Sequence, residues 1–149
     1  MKLSEHLDLS EIIRSDSAKR NGISNMPTPD HIENFKILAT KVFEPIREHF
    51  GVPIHISSGY RSVELNRLIK GSSSSEHCKG QAIDIDMDGT TITNKQVFDY
   101  IKDNLTFDQL INEFNYAWVH VSYKANGKQR GEILEAYKEG KATKYRLYK

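Results

Sequence analysis

Apolar residues recur at helical spacing over residues 29–50 and predict the longest helical segment of the chain. Thr28 followed by Pro29 is typical of a helix start, because threonine caps the free N–H groups and proline suits the first turn. Pro45 lies inside the pattern and predicts a kink or a restart just before it; Gly51 predicts the end. The apolar face consists of Ile32, Phe35, Leu38, Ala39, Val42, Phe43, Ile46 and Phe50.

Three shorter helices are also predicted. Ser10 and Ser62 each precede polar and apolar residues that suit a capped helix, and the third segment, 93–104, is expected to bury Val97, Phe98 and Ile101. In the second helix we expect Leu65 and Leu68 to point inward. The expected helices cover Glu11–Arg14, Val63–Ile69 and Thr93–Asn104.

Short apolar or alternating segments predict a small sheet. The polar segment 15–28 and the serine-rich segment 71–75 are interpreted as loops. The last two strands are separated by three residues, 115–117, which favours a hairpin. Strands mixed with helices indicate an α+β fold with a small antiparallel sheet packed against helices. The expected strands are Val52–Ser57, Gln81–Asp86, Phe107–Phe114 and Trp118–Tyr123.

Length and composition exclude several classes of protein. A chain of 149 residues without a linker-like segment suits one domain, with a core over about 5–125. No apolar run approaches the ~20 residues that span a bilayer, so a membrane protein is excluded. Cys78 is the only cysteine, which excludes a disulfide scaffold. The net charge of +1 gives no argument for nucleic-acid binding, and we expect a monomer.

The two ends of the chain carry further expectations. No apolar stretch follows Lys2, so the start does not resemble a secretory signal peptide. We expect a protein that is made in the cytoplasm and stays there unless another factor releases it. The basic tail, residues 128–149, is expected to hold one last strand or helix. It is interpreted as a solvated terminus, with attraction to an anionic bacterial wall or to nucleic acid as alternatives.

One segment carries a metal-binding pattern. His77 precedes Gly80, which permits a tight turn, and Asp84 lies on the predicted strand that follows. Ala82 shares a face with Asp84 and leaves space beside it. His120 lies on another predicted strand, on the face opposite its valine neighbours. Two imidazoles and one carboxylate form an open zinc site that leaves a fourth position for water, so we expect one zinc ion.

Three blocks of the sequence form a distinctive set: Ser75-x-His77-x-x-Gly80-x-Ala82-x-Asp84, Trp118-x-His120 and Ser58-Gly59-Tyr60-Arg61-Ser62. They resemble the D-alanyl-D-alanine carboxypeptidase and peptidoglycan endopeptidase family of zinc peptidases. Shorter stretches are similar to its small phage and bacterial members, and the resemblance covers about residues 5–125. It implies the fold of hedgehog and D-Ala-D-Ala-peptidase domains and hydrolysis of an amide bond in peptidoglycan stem peptides. The shorter stretches are Ile12–Ser15, Asn25–Pro27 and Glu44–Arg47.

The resemblance also implies roles for individual side chains. His77, Asp84 and His120 would be the zinc ligands. Arg61 would bind the carbonyl or carboxylate of the substrate, since a guanidinium is always charged and makes paired hydrogen bonds. The other two implied substrate contacts are Ser75, which would orient the substrate or the first ligand, and Trp118, which would line the cleft.

The general base departs from the pattern of the family. Many members carry an acid three positions before the final histidine, where this chain has Ala117. Glu113 lies seven positions before His120, at the end of the preceding predicted strand, and the hairpin folds it back toward the site. We therefore predict that Glu113 takes a proton from water and passes it to the leaving amine.

Two alternatives stay open and one is rejected. A zinc-containing module that binds wall or protein without turnover is kept open by Ala117. The bond that is cut, D-Ala-D-Ala or L-Ala-D-Glu, is also open. The pattern Asp84-x-Asp86-x-Asp88-Gly89 imitates a calcium loop, but Lys95 stands where its twelfth position requires a carboxylate.

Overall fold

A computed structural model describes all residues from 1 to 149 and contains two sheets and six α-helices. The strands are β1 (Lys2–Ser4), β2 (Leu7–Asp8), β3 (Ile56–Ser58), β4 (Ala82–Ile85), β5 (Gln109–Glu113), β6 (Trp118–Ser122), β7 (Glu132–Glu139) and β8 (Ala142–Leu147). The helices are α1 (Leu9–Ile13), α2 (Asp16–Arg20), α3 (Pro29–Leu38), α4 (Glu44–Phe50), α5 (Val63–Leu68) and α6 (Asn94–Asn104). None combines the length and apolar character needed to cross a bilayer.

The main sheet has six strands in the order β3-β4-β6-β5-β7-β8. Strands β5 and β7 run parallel and the other neighbouring pairs run antiparallel. Strands β1 and β2 form a separate antiparallel sheet. The α+β class is confirmed. The parallel pair was not expected, because it depends on the path of the chain after β6 rather than on a local pattern.

The helices pack against one face of the main sheet. The isoleucines of β4 and the valines of β6 are fully buried on this face. The largest fully buried rings are Phe35, Phe43 and Phe98, and burying each contributes on the order of 2 kcal/mol. Because side chains alternate along a strand, Asp84 and His120 emerge on the other face of the sheet, away from this core.

The helical segment predicted over residues 29–50 is confirmed, and so is its restart. A π-helical turn, Ala39–Phe43, separates α3 from α4. Helix α4 then begins at Glu44, so that Pro45 falls in its first turn, where its missing N–H leaves no bond unmade. Gly51 ends the helix in the left-handed conformation, with φ of 66°.

Two predictions about the N-terminal region are wrong. Residues 15–28 are not all loop, because they contain α2, which Ser15 caps by accepting a hydrogen bond from the N–H of Ala18. Five residues give too few apolar positions for a helical period to show. Helix α1 is capped by Asp8 rather than Ser10, since the Asp8 carboxylate accepts from the Ser10 N–H in a capping box.

Helix α5, the hairpin of β5 and β6 and the C-terminal segment are of the predicted kind but differ from the prediction in burial, length or number of strands. Leu65 is buried, but Leu68 is 45% exposed rather than inward, because α5 lies at the surface and buries only one side. The hairpin of β5 and β6 is confirmed, with a connection of residues 114–117. Residues 128–149 contain two strands rather than one element. Strand β8 is exposed throughout and rich in charged residues, as edge strands often are.

Candidate metal centre

His77, Asp84 and His120 meet on the face of the main sheet that points away from the core. Asp84 of β4 lies directly opposite His120 of β6 in the antiparallel register. His77 lies in a 3₁₀ turn, Glu76–Lys79, that leads into β4. One ligand atom from each residue lies within 4.8 Å of the other two. The strand register and the turn therefore bring together residues that are far apart along the chain.

The distances between these atoms suit one small ion. The Asp84 Oδ1 atom is 3.0 Å from His120 Nδ1 and 3.3 Å from His77 Nε2. Ligand atoms around a tetrahedral ion with bonds of ~2.1 Å are separated by about 3.4 Å. The two imidazole rings lie 5.2 Å apart and are tilted by 62°. The three side chains are thus already placed to share an ion.

The imidazole of His77 is held in one orientation and one tautomer. Its Nδ1 atom donates a hydrogen bond to the Gly59 carbonyl oxygen at 2.7 Å, which leaves a lone pair on Nε2. That Nε2 atom is buried and has no hydrogen-bond partner, a state that costs about 1–3 kcal/mol when nothing satisfies it. Burial lowers the pKa of His77 despite the charge of Asp84, so the ring is in its neutral, ligating form.

Asp84 supplies a negative charge between the two imidazoles. Burial alone would raise the pKa of this carboxyl group, but its contacts with the imidazoles of His77 and His120 outweigh burial and hold the pKa well below its usual range. Two imidazole nitrogens and one ionised carboxylate are a donor set that zinc prefers. The fully buried methyl group of Ala82, on the same face of β4, leaves the room that the sequence predicts.

Ser75 and Gly80 shape the turn that carries His77. The Ser75 hydroxyl accepts a hydrogen bond from the His77 N–H at 3.3 Å, so it acts on the backbone of this residue. Gly80 has φ of 74°, and a Cβ atom there would lie 2.4 Å from the His31 carbonyl oxygen. Only glycine fits this position, because both the conformation and the space exclude a side chain.

A cluster around Glu76 ties this turn to the end of β6. The Glu76 carboxylate accepts hydrogen bonds from Lys124 Nζ at 2.8 Å and from Gln81 Nε2 at 2.6 Å. Gln81 in turn accepts from the Ala125 N–H at 2.8 Å. The sequence analysis missed this cluster, since no local pattern relates Glu76 to a lysine 48 positions away.

Arg61 lies beside the centre, on the side of β3. Its backbone N–H donates to the His77 carbonyl oxygen at 3.2 Å, and its Nη1 atom donates to Asn66 Oδ1 at 3.2 Å. Its Nε atom is buried without a partner. Gly71 passes so close that a Cβ atom would lie 2.9 Å from Nη1. The guanidinium also lines a cleft of about 390 Å³, shared with Arg14, a second cation that the sequence analysis missed.

Glu113 lies on the same face as His120, one strand further along the sheet. It stands opposite Trp118, and its neighbour two residues earlier, Ile111, stands opposite His120. Glu113 is therefore a diagonal neighbour of His120, within reach of a long side chain. Burial raises the pKa of Glu113 to about 7; the charge of His120 opposes this shift and the charge of Asp84 adds to it. A carboxyl group with this pKa exchanges protons near neutral pH.

The connection after Glu113 is a left-handed turn. Phe114, Asn115 and Tyr116 have φ of 52°, 56° and 64°, a conformation that is costly for residues other than glycine. The Asn112 side chain accepts a hydrogen bond from the Tyr116 N–H at 2.6 Å. Trp118 packs against Phe114 with ring centroids 5.4 Å apart and is half-buried beside the site.

The comparison with known families agrees with this geometry. The model of the peptidase M15 family matches residues 5–122. The chain belongs to this family. Its members are zinc-dependent metallopeptidases of the kind that acts on peptidoglycan. No curated protein matches the chain. The family match ends with β6, so the hairpin of β7 and β8 lies outside it.

Proposed function

We propose that the protein hydrolyses an amide bond in peptidoglycan stem peptides, as a D-Ala-D-Ala carboxypeptidase or an endopeptidase, with one zinc ion. The observation that carries this proposal is the buried, unpartnered Nε2 atom of His77, which faces Asp84 and His120. The resemblance to small phage members supports a role as a lysin. Such a monomeric lysin would be made in the cytoplasm and would reach the wall after another factor releases it.

The chain's own residues would divide the chemistry as follows. His77 Nε2, Asp84 Oδ1 and His120 Nδ1 would hold the ion. Zinc, when bound, polarises a carbonyl group and lowers the pKa of water toward ~7. Glu113 would accept the proton of the attacking water and deliver it to the leaving amine.

The substrate would be held from both sides of the ion. Arg61 would bind and orient a carbonyl or carboxylate oxygen of the substrate, since this residue lines the cleft beside the ion site. Trp118 would line the cleft beside Glu113. Ser75 contacts the His77 backbone, which supports its role in orienting that ligand.

The decisive experiment is turnover of a defined muropeptide. Purified protein is incubated with the muropeptide, with and without a chelator, and the released amino groups are counted. We expect hydrolysis that the chelator abolishes and zinc restores. Mass spectrometry of the products then identifies the bond that is cut. The proposal is wrong if no chelator-sensitive release is found.

Two variants separate binding of the metal from catalysis. His120→Ala should lose both zinc and activity, because it removes a ligand. Glu113→Gln should keep one equivalent of zinc and lose hydrolysis by about 10²–10⁴-fold, because the amide accepts no proton. Normal hydrolysis by Glu113→Gln would show that another group is the base.

Ala117 supports a second candidate function. It lies in the exposed turn at the position where many members carry an acid, so a module that binds wall or protein without turnover is the alternative. Wild-type protein that binds one equivalent of zinc and binds the muropeptide, but releases no amino groups, would favour this module.

A further inference from the structure

The face that carries the metal centre continues onto the C-terminal hairpin. Strand β7 pairs with β5, and β8 pairs with β7. One cross-strand row therefore runs from the site to the edge of the sheet. It consists of Trp118, Glu113, Ala136 and Tyr145, which are successive partners in the register. Because directly opposed residues share a face, Tyr145 points to the same side of the sheet as Glu113.

An inner residue of this row, Ala136, is buried because larger neighbouring side chains cover it. Ala136 has only a methyl group on an open face of the sheet, yet it is 2% exposed. Its partners in the row are Glu113 and Tyr145, whose strands lie about 10 Å apart at the usual strand spacing. Side chains as long as glutamate and tyrosine can span this gap, so Tyr145 lies within reach of the side of the site that carries Glu113.

The electrostatic surroundings of Tyr145 agree with this placement. The residue is 55% exposed as a whole, but burial of its phenol end raises the pKa of Tyr145, and the negative charges of Glu113 and Asp84 raise it further. The hydroxyl group therefore stays protonated at neutral pH. It is available as a hydrogen-bond donor.

The packing of the hairpin does not require an exposed tyrosine on this face. Its opposite face is the one that joins the molecule, where Tyr148 packs against Phe98 with ring centroids 4.9 Å apart. On the site face, Leu147 is 68% exposed beside Tyr145. Leu147 ends a second row, which starts at His120 and continues through Ile111 and Leu134. The two rows form an apolar strip from the metal centre to β8.

The two sides of the centre thus differ in chemistry. Arg61 and Arg14 line the cleft on the side of β3 and suit a charged group of the substrate. The strip on the side of β8 has no cation in its two rows, and the nearest cation on this face, Lys138, lies beyond Ala136 with its Nζ atom 5.2 Å from the Phe114 ring. The strip therefore suits uncharged peptide. A protonated phenol adds one hydrogen bond to a peptide carbonyl oxygen.

We propose that Tyr145 is a substrate-binding residue of this peptidase, which holds the uncharged peptide segment adjoining the scissile amide. The C-terminal hairpin then forms one wall of the active site, although it lies outside the region that the family match covers. This inference rests on the proposed function for the identity of the substrate.

The test compares Tyr145→Ala and Tyr145→Phe with wild-type protein. The matched control is Lys144→Ala, the adjacent residue of β8, which points to the other face. The probe is a stem pentapeptide that ends in D-Ala-D-Ala. Steady-state hydrolysis gives KM and kcat, and calorimetric titration of the zinc-loaded Glu113→Gln protein gives binding without turnover. Zinc stoichiometry and the melting temperature are measured for every variant.

We expect Tyr145→Ala to raise KM and the dissociation constant by about 10-fold or more, and Tyr145→Phe by about 3- to 10-fold through the lost hydrogen bond. The zinc stoichiometry of every variant, and the KM and dissociation constant of Lys144→Ala, should stay at wild-type values. A merely structural role for the ring would instead change zinc binding or the melting temperature. If Tyr145→Ala unfolds, Tyr145→Phe decides, since it keeps the ring.

Unchanged KM and binding in the Tyr145 variants would overturn this inference and leave the proposed function intact. The proposed function fails instead if wild-type protein shows no chelator-sensitive hydrolysis. In that case the calorimetric titration still reports whether Tyr145 binds the peptide. If the wild-type protein and all variants bind the peptide equally weakly in this titration, the inference about Tyr145 is overturned as well.

Discussion

Glu113 is a carboxyl group in surroundings that disfavour its charged form. It is 8% exposed, and burial raises its pKa to about 7. The same desolvation that suits it to proton transfer works against folding when it is ionised. The residue that we propose as the general base therefore destabilises the protein when it is ionised, as is common at active sites.

This conflict predicts that Glu113→Gln stabilises the metal-free protein at pH 8. The folded pKa of about 7 lies above the ordinary value of 4.5, so the folded state binds more protons between these values. The free energy of unfolding of the wild type then falls as the pH rises from about 4.5 to about 7. Glutamine does not titrate, so the variant should gain about 2 kcal/mol at pH 8 relative to pH 5.

Urea unfolding with chelator present, at pH 5 and pH 8, measures this gain. The matched control is Glu48→Gln on α4, an exposed glutamate whose replacement should have the same small effect at both pH values. Equal stability changes for Glu113→Gln at pH 5 and pH 8 would contradict the prediction.

At this scale the sequence predicts the convergence of His77, Asp84 and His120 well, because strand alternation sets the face of each residue. It predicts less about what surrounds them. The free Nε atom of Arg61 and the salt link of Glu76 depend on tertiary distances. No spacing along the chain encodes these distances.

At the scale of elements, the turn between β5 and β6 fixes the end of the strand that carries Glu113. Asn112 faces the core side, is 6% exposed, and accepts the Tyr116 N–H within that turn. Its amide group offsets part of the strain of three successive left-handed residues. The sequence predicts a hairpin here but not this turn, since Phe-Asn-Tyr is not a typical left-handed sequence.

Asn112→Ala should therefore destabilise the protein by about 1–3 kcal/mol, because the Tyr116 N–H loses its buried acceptor. Urea unfolding measures the loss. Asn126→Ala is the matched control, since Asn126 also accepts a backbone N–H but is exposed; its loss should stay below about 0.5 kcal/mol. A loss at Asn112 no larger than at Asn126 would show that the turn does not depend on this contact.

The helices and strands differ in how far the sequence specifies them. The segment over residues 29–50 is predictable because eight apolar residues repeat at helical spacing. Helix α2 and strands β7 and β8 are not predictable in this way. The first is too short to show a period, and the last two carry lysine, arginine and glutamate at positions where a central strand would be apolar.

At the scale of the molecule, Asp108 joins the C-terminal hairpin to the region that the family match covers. Its side chain is fully buried before β5 and accepts hydrogen bonds from Arg130 Nη2 at 2.8 Å and from Arg130 Nε and N at 3.1 Å. Its carbonyl oxygen accepts the Glu132 N–H. These contacts set where β7 begins, and hence the register that places Tyr145 beside Glu113.

The Asp108 link predicts a specific loss of stability in acid. Burial raises the pKa of this carboxyl group, but the hydrogen bonds from Arg130 outweigh it and hold the pKa below its ordinary value of 3.8. The stabilisation is therefore fully present above about pH 4 and is lost as the pH falls through the folded pKa. Asp108→Asn should cost about 1–3 kcal/mol at pH 6.

This difference should begin to shrink near pH 3.8, where the carboxyl group of the unfolded chain gains a proton, and should shrink further as the pH falls through the lower folded pKa, where Asp108 loses its hold on Arg130. Urea unfolding of both proteins between pH 2 and pH 6 measures it, with Asp103→Asn as the control because that carboxylate is 63% exposed. A difference that stays constant down to pH 2 would mean that the ionised form of Asp108 does not hold the hairpin. If the hairpin is held as we infer, Asp108→Asn should also raise KM, since it loosens the strand pair that positions Tyr145.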